Sequence, residues 1–139
     1  MSANTTQDSS KGMTTALWIS QLAVAGILGM GAFMKFFNYT PEGSMALADA
    51  MSVGRGVVTM IGLVETAALV LILIPRAHAI GALLAVFTML GALLAHATNI
   101  GWSGNAAAEG WPLALVVLVA ASFVLMVRRK ELPIVGEKL

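Results

Sequence analysis

Cysteine is absent from the 139-residue chain. That excludes thiol catalysis, disulfide scaffolds, thiolate zinc sites and cysteine-held iron–sulfur clusters. Charge is scarce as well: 11% of residues are charged, whereas soluble domains carry about a quarter. Too few charges remain to cover a water-facing surface. Those present nearly cancel, with eight Lys and Arg against seven Asp and Glu. No basic stripe is left to follow a phosphate backbone, so nucleic acid is not an expected partner. Walker, Rossmann and catalytic-triad patterns are also missing. What the chain has instead is apolar residues, 58% of the total, and this composition defines a small membrane-embedded protein.

The apolar residues fall into four stretches. The first runs from about Thr15 to Phe33 or beyond, the second lies between Arg55 and Pro75, the third runs from about His78 to Ala97, and the fourth from Pro112 to Val127. Each approaches the roughly 20 helical residues that cross a hydrocarbon layer of about 30 Å. Period-2 alternation is absent and Ala, Leu, Gly and Met dominate, which argues against strands. A cleavable signal peptide is the competing reading of the first stretch, because small residues at Gly29–Ala32 resemble a cleavage site. Three further stretches make the membrane assignment whichever reading holds. The expected fold is an all-α integral membrane four-helix bundle with antiparallel up-down topology.

The segments around the spans complete the division. Residues 1–13 are polar and read as a flexible tail, residues 14–128 as the transmembrane domain, and residues 129–139 as a short C-terminal tail. Pro75 stops the second span and leaves a turn of a few residues before the third, so these two form an antiparallel hairpin. The loop 41–54 holds an apolar run, Ser44 to Met51, suited to a short amphipathic helix at the membrane surface. Residues 101–110 read as a flexible connection, with Pro112 as a first-turn residue of the last span. Lys11, Arg76, Arg128, Arg129, Lys130 and Lys138 collect at one end, and only Lys35 and Arg55 at the other. The positive-inside rule then places both termini in the cytoplasm, with the multi-pass chain in a cytoplasmic (inner) membrane and lipid as its first partner.

Ionisable groups within a span cost about 2.5–3.5 kcal/mol on insertion scales, so they mark partners, cavities or sites. Glu65 lies ten residues past Arg55, a rise of about 15 Å that sets it near the midplane. It reads either as a structural carboxyl, protonated or paired, or as a proton carrier or ligand-binding group. Lys35 is an ordinary snorkelling residue if the first helix stops near Phe36; if that helix reaches Tyr39, Lys35 can extend toward Glu65. His96 is commonly a packing residue in such a position. It shares, however, a small and polar helix face with Gly81, Ala85, Thr88, Ala92 and Asn99. Gln21, Ala25, Ala32 and Lys35 form a similar face on the first span, as do Gly62, Glu65 and Thr66 on the second. The fourth span, apart from Ser122, is apolar all round and reads as facing lipid or a partner.

The expected site therefore joins Lys35, Glu65, His96 and Asn99 in the outer half of the bundle, with Tyr39 and Trp102 near its mouth. Such groups can hydrogen-bond a carbonyl or phenolic hydroxyl and exchange its proton, and a quinone head is one ligand of that kind. No catalytic residue and no metal ligand set is expected. One His and one Glu are too few for a closed metal site. His78 and His96 lie 18 positions apart on one helix, about 27 Å along the axis, and cannot clamp one haem within a monomer.

On these residues the chain resembles the DoxX family of small bacterial four-helix membrane proteins. The likeness is carried by Gly31-Ala32-Phe33-Met34-Lys35-Phe36, Gly62-Leu63-Val64-Glu65 and Leu93-Leu94-Ala95-His96, in that order on the first three spans. The resemblance implies a four-helix bundle associated with membrane redox systems, including small subunits of quinone-linked oxidoreductases, with Lys35, Glu65 and His96 at its polar positions. Nothing in the chain carries electrons by itself, so it is at most a subunit of an oxidoreductase. The expectation is a subunit of a larger membrane redox complex. A non-catalytic assembly or structural subunit is the alternative, and a small transporter or proton path, workable only as a homo-oligomer, ranks third.

Overall fold

The computed structural model describes residues 2–104 and 110–133, with side chains from residue 9 onward. Helix α1 spans Ser2–Phe37, α2 Ser44–Ala50, α3 Arg55–Leu73, α4 His78–Ala95 and α5 Trp111–Arg128. A π-helical segment, His96–Ile100, extends α4, and a 3-10 turn, Arg129–Glu131, follows α5. Among the described residues, four helical segments are long and apolar enough to cross a membrane: Ser9–Phe37, Arg55–Leu73, His78–Ile100 and Trp111–Glu131. These match the four expected stretches. Helix α1 starts earlier than expected, at Ser2 rather than near Thr15. Adding a turn to a nucleated helix costs little, and no proline stands in the way. Residues 105–109 of the expected flexible connection and 134–139 of the C-terminal tail lie outside the described residues.

Local chemistry sets the helix ends. Ile74, the residue before Pro75, is extended (φ −84°, ψ 126°), as the proline ring requires. The turn passes through Arg76 in the left-handed region (φ 70°) and closes with Ala77 N–H donating to the Ile74 carbonyl at 3.0 Å. The Ile72 carbonyl, in the last turn of α3 where helical partners run out, lies 2.7 Å from Nδ1 of buried His78. A carbonyl only accepts, so this ring nitrogen donates. His78 thus ties the two ends of the hairpin.

The spans pack in a ring: α1 against α3 and α5, and α4 against the same two. The 3-10 turn after α5 meets α4, while at the opposite end α2 meets the π segment. The antiparallel arrangement follows. The shared core holds Val24 and Leu28 of α1, Ala68 and Ile72 of α3, Ala82 and Ala85 of α4, and Val117, Ala121 and Val124 of α5. The many alanines allow close approach where water supplies no drive for association. Gly81 is the tightest case, since a Cβ there would strike the backbone of Ile72. Helix α5, expected to face lipid or a partner, turns one side into the core: Ala114, Val117, Ala121 and Val124 form a buried stripe at three-to-four-residue spacing. Uniform hydropathy conceals which side packs, since valine stands both on the buried side (Val117, Val124) and on the exposed one (Val116, Val119). The outer faces of the spans are largely apolar, with Ile19, Leu22, Phe33, Met60, Phe87, Leu94, Val119 and Met126 exposed. A hydrocarbon solvent accommodates such a surface.

Candidate functional site

Helix α1 ends at Phe37, two residues past Lys35, yet the lysine does not turn outward. Side chains on a helix lean toward its N-terminus, and Nζ of Lys35 folds back to the Gly31 carbonyl, 3.3 Å away. The ammonium is thereby one turn deeper than its own Cα, and it donates to both carboxylate oxygens of Glu65 at 2.9 Å. The pair is largely buried, with side-chain exposures of 13% and 7%. Two glycines make room for it. A Cβ on Gly31 would lie 3.3 Å from Glu65 Oε2, and one on Gly62 would press the Phe36 ring at 3.1 Å and Lys35 Cβ at 3.3 Å. The glycines of the two sequence motifs are therefore spacers between α1 and α3.

His96 is held from both sides by Gly101. Its carbonyl accepts the Gly101 N–H at 2.9 Å, and its ring Nδ1 donates to the Gly101 carbonyl at 2.9 Å. Gly101 adopts φ 83°, the left-handed region that favours glycine. The imidazole is buried and stacks on Trp102, with centroids 5.7 Å apart and planes at 21°. Trp111 meets Trp102 edge-on and donates from its indole to the Trp102 carbonyl at 3.1 Å.

Lys35, Glu65 and His96 line one cavity of about 600 Å³. Thr88 is the only other polar side chain on its wall among the described residues, and the remainder is aliphatic, Met, Phe or Gly. Leu47 and Met51 reach the cavity from α2 and its C-terminal cap, packing there on Ile100 and Ala95. The expected surface helix is thus also a cover for the cavity's loop end, a role that its local sequence did not reveal.

Two expected neighbours stand elsewhere. Asn99 is exposed and does not line the cavity; its amide oxygen accepts from the Thr98 hydroxyl at 2.6 Å. The reason is the change of helix type at His96. With five residues to the hydrogen-bonded turn, Asn99 leaves the His96 face and Ile100 is buried in its place. Tyr39 lies in the loop after α1, beneath the Arg55 guanidinium at 4.9 Å. Gln21 is buried in the bundle but outside this cavity. Thr88 and the Gly31 carbonyl complete the site; the first stood on the polar face read from the sequence, and the second carries no side-chain signal.

Spans, apolar exterior and internal ion pair define a polytopic membrane four-helix bundle. The sequence model of the DoxX-like family matches residues 19–124, well over half of the chain, and the chain belongs to that family. No curated protein and no solved structure matches it.

Proposed function

We propose that the chain is an integral membrane subunit of a quinone-linked redox complex in a bacterial cytoplasmic membrane, with the cavity as a site for a quinone or quinol head. The observation that carries this reading is the cavity itself: an apolar chamber of about 600 Å³ whose few polar side chains include a lysine–glutamate pair and a histidine. Ligand sites combine such apolar walls with a small number of convergent polar groups. His96, Thr88 and the Lys35–Glu65 pair would hold the head, and the surrounding aliphatic residues its tail. A bound quinone supplies two-electron, two-proton chemistry; flavin, haem or metal to complete the electron path belongs to a partner chain. Glu65 and His96 offer the proton-exchanging groups.

The test is co-purification in mild detergent, with mass spectrometry of partner proteins and extracted quinones. Stoichiometric quinone together with a dehydrogenase or oxidase partner is the expected result. His96→Ala should lose the quinone while the complex persists. The same ion pair supports a second reading, a non-catalytic assembly subunit, because its partners satisfy one another and fix the register of α1 on α3. On that reading the complex forms without quinone, and Glu65→Gln releases the subunit.

A further inference from the structure

The polar hydrogens on the cavity wall are already committed. An ammonium has three N–H donors, and those of Lys35 face Gly31 O, Glu65 Oε1 and Glu65 Oε2. The single O–H of Thr88 goes to the Leu84 carbonyl at 2.7 Å. A neutral imidazole has one N–H, and that of His96 is spent on the Gly101 carbonyl at 2.9 Å. What these four side chains still offer is lone pairs: Nε2 of His96, the Thr88 oxygen, and the remaining acceptor positions of the Glu65 carboxylate.

We infer that the cavity is an acceptor-only site, selective for a ligand head that donates hydrogen bonds, and that its occupant is the reduced, hydroxyl-bearing hydroquinone rather than the quinone. This rests on the quinone-site reading above and adds the redox form that the site holds. A hydroquinone carries two O–H donors at opposite ends of its ring, and the cavity is lined by separate acceptor-bearing residues from α3 (Glu65), α4 (Thr88) and the π-helical segment beyond α4 (His96). The oxidised head has only carbonyl oxygens there. Set against a carboxylate and an imidazole lone pair, they leave buried acceptors facing acceptors, the mismatch by which a site built for a hydroxyl rejects an analogue lacking it. Selective binding of the reduced form also biases the redox couple at this site, since a ligand form bound more tightly is the form favoured.

The experiment is equilibrium binding to the full chain in lipid nanodiscs under anaerobic conditions, with decylubiquinol, decylubiquinone and the dimethyl ether of decylubiquinol. The ether keeps the ring and tail and removes both donors. The quinol is expected to bind at least tenfold more tightly than the quinone or the ether. Quinone binding as tight as quinol would overturn the inference and leave the quinone-site reading standing. Failure of both to bind above empty nanodiscs would overturn both. A monoacylglycerol, which brings hydroxyl donors without a ring, should fail to displace the quinol; displacement at equal concentration would assign the acceptors to a lipid head and overturn the hydroquinone.

Discussion

Lys35 and Glu65 exist as charges inside an apolar bundle only because each supplies what the other lacks. Removing one partner of a buried pair leaves a charge uncompensated and costs about 3–5 kcal/mol, whereas replacing both with apolar side chains of similar volume is often neutral. Lys35→Met and Glu65→Met should therefore each lower stability by about 3 kcal/mol, with the double variant recovering most of the loss. Denaturant titration in mixed micelles, read by tryptophan fluorescence, measures this; additive losses would show that the pair does not couple α1 to α3. These two residues were legible in the sequence because hydrocarbon rejects charge, so any charge in a span draws notice. Their pairing was not, since it depends on Lys35 folding back by one turn to the level of Gly31. Asn99 was misplaced for a related reason: a polar residue at helical spacing shares a face with His96 only while the helix stays α.

At the scale of elements, the α3–α4 hairpin is governed by contact between backbones. Gly81 sits where an added Cβ would strike the Ile72 backbone, while Gly91, ten residues later on the same helix, has nothing within 4 Å of that position. The same substitution should thus act with opposite sign. Gly81→Ala forces α4 away from α3 and is expected to cost about 1–3 kcal/mol, as overpacking does. Gly91→Ala removes the conformational cost of glycine in a helix and should stabilise by about 0.5–1 kcal/mol. The same unfolding titration compares them, and equal effects would refute the contact between α3 and α4. Span limits were readable from hydropathy because proline and glycine punctuate them, as at Pro75 and Pro112. The packed face of α5 was not, because Val117 and Val124 are buried while Val116, Val119 and Val127, the same residue type, are exposed, so neither polarity nor residue type marks the side that packs. The cover formed by α2 was equally invisible, since its apolar residues suit a membrane surface and a cavity wall alike.

For the whole molecule the open variable is direction across the membrane, and the distribution of charge decides it. The end bearing the hairpin turn carries Arg76 and, beyond α5, Arg128 to Lys130, while the loop end of α1 and α3 carries Arg55 beside the acidic Glu42 and Asp49. Lys35 adds nothing to that loop end, because its ammonium is spent inside the bundle on Glu65. The asymmetry is thus sharper in the folded chain than in the sequence. Cationic flanks are retained in the cytoplasm, so both termini are predicted to lie there and the cavity, with its cover α2, toward the opposite face. Single cysteines test this without background, since the chain has none of its own. Ser103→Cys, beside the tryptophan cluster, should react with a membrane-impermeant maleimide in intact cells. Pro133→Cys should react only after the membrane is permeabilised. Both substitutions leave every charge in place, so the labelling reads the topology of the native distribution. The reverse pattern would turn the cavity toward the cytoplasm and require any partner chain at its mouth to be sought on that side.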